Sequence, residues 1–206
     1  MRVTGGTVKG RIIKVPKGFA VRPTPDMMRQ AMFNSLGDFV YDAHVLELFA
    51  GSGALSLECM SRGAASSTCV EKARYHADIL RSNWESCGFD RHTLTLRVQD
   101  AYVALEQLRA QGQKYDLILA DPPYGEKNIK VRSHSFAQQL LDDRTLMDVL
   151  KPGGLFLLGH PCRETLDVQL PWVEIKVLRH GDNVMKFLKL DRSEATSEET
   201  VSAVES

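Results

Sequence analysis

The sequence predicts an α/β protein with a seven-stranded mixed sheet, helices on both faces and a small β-hairpin at its amino terminus. Short apolar runs alternate with amphipathic stretches through most of the chain, which is typical of parallel strands joined by helices. Two final strand-like runs, 173–179 and 184–190, are separated only by the tight turn His180-Gly181-Asp182-Asn183. A hairpin at the end of such a chain indicates one antiparallel strand near the edge of the sheet.

The predicted site is organised around the stretch from Tyr115 to Tyr124. Its apolar run, 117–120, fits a strand buried on both faces and ends abruptly at Asp121. Pro122 and Pro123 carry no amide hydrogen, so the chain leaves the sheet there in an extended conformation. We therefore expect the Asp121 carboxylate, the Pro122 carbonyl and the Tyr124 ring at the carboxyl edge of the sheet, where open α/β folds bind ligands.

A carboxylate, a backbone carbonyl and an aromatic face together suit a planar heterocycle with an exocyclic amine. The two acceptors take the two hydrogens of the amine, and stacking on an aromatic side chain contributes about 1–3 kcal/mol per base. A strand followed by an ordinary turn is the simpler alternative. Because Asp-Pro-Pro-Tyr is rare directly after a hydrophobic strand, we favour the functional interpretation.

A second ligand-binding segment is predicted after the strand 45–49, where the turn Ala50-Gly51-Ser52-Gly53 leads into a helix. This arrangement lets the backbone approach a nucleotide-like ligand. Ser56 stands where a dinucleotide fingerprint needs glycine, which disfavours an NAD site. Glu71 follows the next predicted strand, and its two oxygens suit the two hydroxyls of a ribose.

Asp100 lies at the tip of the third predicted strand, 93–98, and is followed by Ala101. Its carboxylate either accepts a hydrogen bond from an adenine amine or caps the helix predicted over 102–110, and an N-cap would be a sufficient explanation. We assign it to the cofactor site while both interpretations stay open. The remaining predicted elements are helices over 73–87 and 134–150, a turn at Lys151-Pro152-Gly153-Gly154 and a strand over 155–159.

The first helix is predicted to begin with Thr24 as its N-cap and Pro25 at its first position, and to end near Leu36. Its apolar stripe consists of Met28, Met32 and Leu36. Arg29 is expected on the opposite face. Since a helix N-terminus flanked by Arg22 suits a carboxylate or phosphate, Thr24 is assigned to the cofactor-binding residues, with an ordinary capped helix as the alternative.

The two ends of the chain differ in charge, although the net charge of the 206 residues is zero. Residues 1–40 carry seven basic and two acidic residues, a local balance of +5, and strands around 2–5 and 11–15 predict a basic hairpin. Either this hairpin contacts phosphates, or it is an ordinary edge hairpin whose lysine side chains are solvated. From residue 191 onward five acidic residues oppose one arginine, a balance of −4. The predicted organisation is a hairpin over 1–21, a main domain over 22–192 and an acidic disordered tail over 193–206.

The bulk composition indicates a cytoplasmic protein. No apolar run approaches the length of a membrane span, and the amino terminus lacks the apolar core of a signal peptide. The cysteines form no CxxC pair, so we interpret them as reduced packing residues and expect no metal site. They are Cys59, Cys69, Cys87 and Cys162.

Together these segments resemble the Rossmann-like class I S-adenosylmethionine-dependent methyltransferases. Phe49-Ala50-Gly51-Ser52-Gly53 with Asp121-Pro122-Pro123-Tyr124 marks amino-group methyltransferases generally. The segment Arg22-Pro23-Thr24 narrows the resemblance to the RsmD-type family of bacterial 16S rRNA guanine-N2 methyltransferases. Further matching segments are Gly10-Arg11, Arg29, Phe33-Asn34, Ser61-Arg62-Gly63-Ala64, Val70-Glu71-Lys72, Asp100-Ala101 and Lys151-Pro152-Gly153-Gly154.

The resemblance implies S-adenosylmethionine as the cofactor and the N2 amine of a guanine in 16S rRNA as the target, within a 30S subunit or its assembly precursor. It also implies a monomeric enzyme in which Asp121 and the Pro122 carbonyl hold the amine and Tyr124 stacks on the guanine. The cofactor residues that it implies, from the methionine end to the adenine end, are Glu47, Gly51, Ser52, Gly53, Glu71, Asp100 and Ala101.

Two other functions stay open. A DNA adenine-N6 methyltransferase would use the same Asp-Pro-Pro-Tyr segment, but the chain offers no obvious target-recognition domain beyond the small hairpin. A ribosome-assembly protein that binds RNA without turnover would keep the fold, although intact Glu71, Asp121 and Tyr124 argue against it.

Overall fold

The structure is a computed structural model that describes residues 1–16, 24–123 and 132–191. Within these ranges the helices are α1 Asp26–Leu36, α2 Ala54–Ser61, α3 Arg74–Cys87, α4 Ala101–Ala110, α5 Phe136–Asp142 and α6 Arg144–Val149. The strands are β1 His44–Leu48, β2 Ser66–Val70, β3 Leu94–Arg97, β4 Tyr115–Ala120, β5 Leu150–Pro161, β6 Trp172–His180 and β7 Asn183–Leu190. None of the described helices is long and apolar enough to cross a membrane. The predicted tail, 193–206, lies outside the described residues.

The strands form one mixed sheet in the order β3-β2-β1-β4-β5-β7-β6, which confirms the predicted fold class. Strands β1 to β5 are parallel, whereas β7 runs antiparallel to both β5 and β6. The chain moves outward from β1 to β3 and then returns to place β4 on the other side of β1. Ligands bind at such a switch point in open α/β sheets.

Helices cover both faces of the central strands, which are apolar on both sides as buried parallel strands are. One face packs with α4, α5 and α6 and includes Leu46, Leu48, Ile118, Ala120, Phe156 and Leu158. The other packs with α1 and α2 and includes Val45, Leu117, Leu119 and Leu157. Because successive strand residues face opposite sides, Glu47 lies on the α1 and α2 side of the sheet.

The region from 134 to 161 differs from its prediction in two ways. The single helix predicted over 134–150 is two helices, because Asp143 has an extended backbone and its carboxylate accepts a hydrogen bond from the Thr145 amide at 2.7 Å. The predicted turn at 151–154 is instead an irregularity inside β5, where Tyr115 pairs with Leu150 but Leu117 pairs with Leu155.

The amino-terminal segment forms a hairpin without regular strands. The strands predicted around 2–5 and 11–15 reduce to one antiparallel bridge, Arg2 to Ile12. The segment is held by contacts with the end of α2 instead. The Thr7 amide donates to the Ser61 carbonyl at 2.7 Å, and a Cβ added to Gly6 would lie only 1.8 Å from that carbonyl oxygen. The apolar contacts beneath it involve Val3, Ile13, Leu57, Trp84 and Cys87. Packing on α2 and α3 therefore replaces the strand ladder.

The prediction of packing cysteines is confirmed for Cys59, Cys69 and Cys87, which are free and buried. It is wrong for Cys162, which is free but exposed. Cys162 directly follows β5, and its amide donates to the Asp182 carbonyl at 2.8 Å in the turn between β6 and β7. The backbone is thus anchored there while the side chain faces solvent.

Candidate active site

Asp121 directly follows β4 at the carboxyl edge of the sheet, as predicted. Its carboxylate lies against Gly159 of β5, where a Cβ would come within 2.4 Å of Asp121 Oδ1. Only glycine leaves room for the carboxylate in this position. From the sequence Gly159 was predicted only as the end of a strand, although a glycine inside a strand is a known signal for such a close approach.

Thr24 contributes the hydrogen-bond partner of Asp121. Its Oγ1 donates to Asp121 Oδ2 at 2.6 Å. The predicted N-cap is wrong, since α1 begins at Asp26 with Pro25 before it and has no side-chain cap. The hydroxyl instead donates to the carboxylate, and hydrogen bonds to an ionised acceptor are stronger than those between neutral groups. Arg22, predicted to flank this helix end, lies outside the described residues.

Burial sets the protonation of Asp121. It raises the pKa of this carboxyl to about 6, against the opposing effect of the Thr24 hydrogen bond. Pro122 is buried and Pro123 is exposed, consistent with a chain that turns away from the sheet. The predicted stacking residue Tyr124 lies outside the described residues.

Glu47 near the end of β1 is a buried carboxyl, on the same side of the sheet as the partly buried Asp121. Its Oε2 accepts a hydrogen bond at 2.9 Å from the amide of Ser56 in the first turn of α2. Burial raises the pKa of Glu47 to about 7, and the nearby Asp121 charge adds to this rise. Ser56, which occupies the position that argued against NAD, is thus the anchor of this carboxyl.

The glycine turn after β1 has the conformation that its sequence predicts. Gly51 and Gly53 have positive φ angles of 54° and 75°, and a Cβ at Gly53 would lie 2.7 Å from Leu80 Cγ. Phe49 also has a positive φ, 56°, which is strained for a residue other than glycine. Such outliers cluster at ligand sites, and this one was not visible in the sequence.

Glu71 joins the tip of β2 to this turn. Its Oε2 accepts from the Gly51 amide at 2.8 Å, and its Oε1 accepts from the Ala73 amide at 2.7 Å. His76 Nδ1 lies 3.5 Å from Oε1. Each carboxylate oxygen can accept a further hydrogen bond, so the geometry leaves capacity for the two hydroxyls of a ribose.

Asp100 serves as the N-cap of α4. Its Oδ1 accepts from the Tyr102 amide at 3.0 Å, and its Oδ2 lies 3.2 Å from Lys72 Nζ. Ala101, the first residue of α4, is buried. The capping interpretation is confirmed, and the adenine contact assigned to this pair stays a prediction.

Arg29 is fully buried, so its expected position on the solvent side of α1 is wrong. Its guanidinium donates to the Thr24 carbonyl at 2.8 Å and to the Arg2 carbonyl. It also pairs with Asp26 at 2.9 Å and with buried Glu58 at 3.5 Å. Helical periodicity alone assigned this charge to solvent, because two of its four acceptors, the Arg2 carbonyl and Glu58, come from other segments of the chain.

The strand order, the glycine turn after β1 and Asp-Pro-Pro after β4 define a Rossmann-like class I methyltransferase fold. The chain belongs to the family described as conserved hypothetical protein 95, which matches residues 1–189. The predicted membership of an RsmD-type methyltransferase family is thereby confirmed.

The chain is similar to several known proteins. It is 36% identical over 128 residues to the ribosomal RNA small subunit methyltransferase D of Escherichia coli (strain K12), and this segment spans 60% of each protein. The solved structure of yhhF from Escherichia coli superposes with a TM-score of 0.76 at 25% identity, over 93% of this chain and 98% of that one. The structure of SMU.776 complexed with SAH, at 19% identity, shares the fold with a TM-score of 0.66 over 80% of this chain and 49% of that one.

Proposed function

We propose that this protein transfers a methyl group from S-adenosylmethionine to the N2 amine of a guanine in 16S rRNA. The observation that carries the proposal is the position of Asp121 beside the glycine turn. Leu48 pairs with Ala120, so β1 and β4 are adjacent strands, about 5 Å apart, that end together and bring the turn and the carboxylate to the same edge of the sheet. The similarity to an Escherichia coli ribosomal RNA methyltransferase supports rRNA as the target.

The residues at this edge fit the assigned cofactor. Gly51 and Gly53 leave the backbone of the turn open to the methionine part, and buried Glu47 is an acceptor for its ammonium group. Glu71 holds the ribose, and Asp100 with Ala101 lines the adenine end. When bound, S-adenosylmethionine supplies a methyl group already activated on a sulfonium.

Asp121 and the Pro122 carbonyl then have to orient the amine. The lone pair of an aromatic amine is delocalised into the ring, and two accepted hydrogen bonds favour a more tetrahedral nitrogen. Holding the reacting atoms in line lowers the barrier without acid or base catalysis of the first step. The amine would exchange one hydrogen for the methyl group, and the Asp121 carboxylate is the assigned acceptor for that proton.

The basic hairpin supplies a surface for the RNA backbone in this proposal. Arg2, Lys9, Arg11 and Lys14 are all exposed on the described part of the hairpin. Exposed lysine and arginine side chains bind phosphates without reading sequence. The target base must be unstacked to reach Asp121, which costs a few kcal/mol and favours a loop nucleotide.

In this proposal the substrate is 16S rRNA within a 30S subunit or its assembly precursor, and the protein acts on it in the cytoplasm as a monomer. The test uses purified protein, radiolabelled S-adenosylmethionine and three acceptors: free 16S rRNA, immature 30S particles and DNA. We expect N2-methylguanosine in one of the ribosomal acceptors, identified by mass spectrometry of the nucleosides. Label in DNA alone would favour the adenine-N6 alternative.

Asp121→Ala tests the assigned role of the carboxylate. We expect turnover to fall at least about 100-fold, because the amine is no longer oriented, while calorimetry shows nearly unchanged cofactor binding. Asp38→Ala, which removes an exposed carboxyl just after the carboxyl end of α1, is the control and keeps full activity. Near-normal turnover of Asp121→Ala would contradict the proposal, and a wild-type protein that binds no cofactor would favour a non-catalytic RNA-binding role.

A further inference from the structure

The two oxygens of Asp121 have different surroundings. Oδ2 accepts the hydroxyl of Thr24 at 2.6 Å, a short bond typical of an O–H donor and a carboxylate. Oδ1 lies over Gly159, on the side where β5 carries no side chain. The carboxylate is therefore held in one orientation, with one oxygen engaged and the other left for a ligand.

The backbone of Thr24 is itself fixed by a hydrogen bond. Its carbonyl accepts a hydrogen bond from Arg29 at 2.8 Å, and Arg29 is fully buried. The guanidinium is fixed in turn by Asp26 and by buried Glu58. A buried arginine with several partners has little freedom to move, so Thr24 cannot follow small displacements of the Asp121 side chain.

The hydroxyl of Thr24 also acts on the charge of Asp121. Burial favours the neutral acid and raises its pKa, whereas a donated hydrogen bond favours the carboxylate. The ionised carboxylate accepts an amine hydrogen on Oδ1 without offering a competing O–H donor, while the Pro122 carbonyl accepts the other hydrogen. A threonine hydroxyl at this distance therefore supports both the orientation and the ionisation that the amine requires.

The charged groups around this pair, among the described residues, come from β1 and α1. Glu47 on β1 is close enough for the charge of Asp121 to raise its pKa. Arg29 on α1 is engaged with the carbonyl of Thr24. From β5 the neighbour of the carboxylate is the backbone of Gly159. The hydroxyl of Thr24 is thus the hydrogen-bond donor that the described part of the chain offers to Asp121.

We infer that Thr24 is a positioning residue for methyl transfer, whose hydroxyl orients the Asp121 carboxylate toward the target amine. This replaces the cofactor-binding role that its place in the sequence predicts. The inference rests on the proposed function, because it assigns Thr24 to the amine side of the same site.

The test compares Thr24→Val, which keeps the shape but removes the hydroxyl, with Thr24→Ser, which keeps the hydroxyl. We expect Thr24→Val to lower kcat about 10- to 100-fold at neutral pH, the size expected for a buried hydrogen bond to a charged group. The acid limb of its pH–rate profile moves to higher pH, because the pKa of Asp121 rises without the donor. Thr24→Ser recovers most of the activity, and all variants bind S-adenosylhomocysteine as the wild type does.

Ser35→Ala is the matched control, since its hydroxyl donates to Ala31 of its own helix and removal leaves kcat unchanged. A Thr24→Val protein with wild-type kcat and pH profile would overturn the inference, and so would one that loses cofactor affinity at constant kcat. If Thr24→Val does not fold, Thr24→Ala against Thr24→Ser makes the same comparison. A wild-type protein without methyl transfer to rRNA refutes the proposed function instead, which separates the two failures.

Discussion

Gly159 shows how a single atom can define the site at the residue scale. Gly159→Ala would place a Cβ 2.4 Å from Asp121 Oδ1, so the carboxylate must rotate away from its position. Since displacing a reacting group by about 1 Å can cost about 100-fold, we expect kcat to fall by up to that factor. Cofactor affinity, measured by calorimetry, stays close to the wild-type value because the glycine turn is untouched.

Gly181→Ala is the control for Gly159→Ala. It lies in the turn between β6 and β7, where an added Cβ meets nothing within 4 Å. Its positive φ of 56° makes alanine unfavourable there, so this variant loses some stability but keeps its kcat. Equal loss of kcat in both variants would mean that Gly159→Ala acts through folding, and the steric argument would be wrong.

Most site residues could be predicted individually, because each follows a strand and strand ends share one edge of a parallel sheet. This holds for Glu71, Asp100 and Asp121, which the structure places at the carboxyl ends of β2, β3 and β4. The partnership of Thr24 with Asp121 could not be read in this way. The two residues are 97 positions apart, and local capping preferences offered Thr24 a sufficient role.

At the scale of elements, α3 connects the cofactor edge to the amino-terminal hairpin. Buried Asn83 on α3 donates to the Ser52 carbonyl at 3.0 Å and to the Lys14 carbonyl at 2.9 Å. Its Oδ1 also accepts from the Lys14 amide at 2.9 Å. One side chain therefore sets the position of the glycine turn and of the end of the described hairpin together.

Asn83→Leu keeps the volume of the side chain and removes all three hydrogen bonds. We expect the affinity for S-adenosylhomocysteine to fall about tenfold by calorimetry, because the Ser52 carbonyl is no longer fixed. The free energy of unfolding falls by about 1–3 kcal/mol, since buried backbone groups lose their partners. Ser82→Ala, which loses only an exposed contact with Lys14 Nζ, serves as the control. An unchanged cofactor affinity in Asn83→Leu would show that the contacts of Asn83 with the hairpin and the glycine turn do not affect cofactor binding.

The strands were predictable as elements because apolar runs and glycine turns are local signals. Two features were not local. The break at Asp143 depends on a side chain that caps the following helix, in a stretch whose apolar period continues across it. The hairpin lacks its strand ladder because packing against Ser61 and α3 competes with pairing between its own segments.

At the scale of the whole molecule, the fold keeps two carboxyls that oppose its stability. Burial raises the pKa of Glu47 to about 7 and that of Asp121 to about 6, from ordinary values of 4.5 and 3.8. Both groups bind protons more tightly in the folded than in the unfolded chain. Their protonation therefore stabilises the folded chain. This stabilisation is complete below the ordinary pKa values and is lost as the pH rises through about 6 for Asp121 and about 7 for Glu47. Sites often keep such unfavourable groups where a ligand needs them.

Glu47→Gln tests this balance between stability and function. The amide keeps an oxygen to accept from the Ser56 amide but cannot ionise, so the decline in stability between pH 5 and pH 8 becomes shallower. Urea unfolding at several pH values measures this, and we expect Glu47→Gln to exceed the wild type in stability at pH 8 while losing affinity for S-adenosylmethionine. The ammonium of the cofactor stabilises the ionised carboxylate in the wild type, so binding there releases protons that the variant does not. Parallel stability curves for the two proteins would show that Glu47 does not titrate in this range.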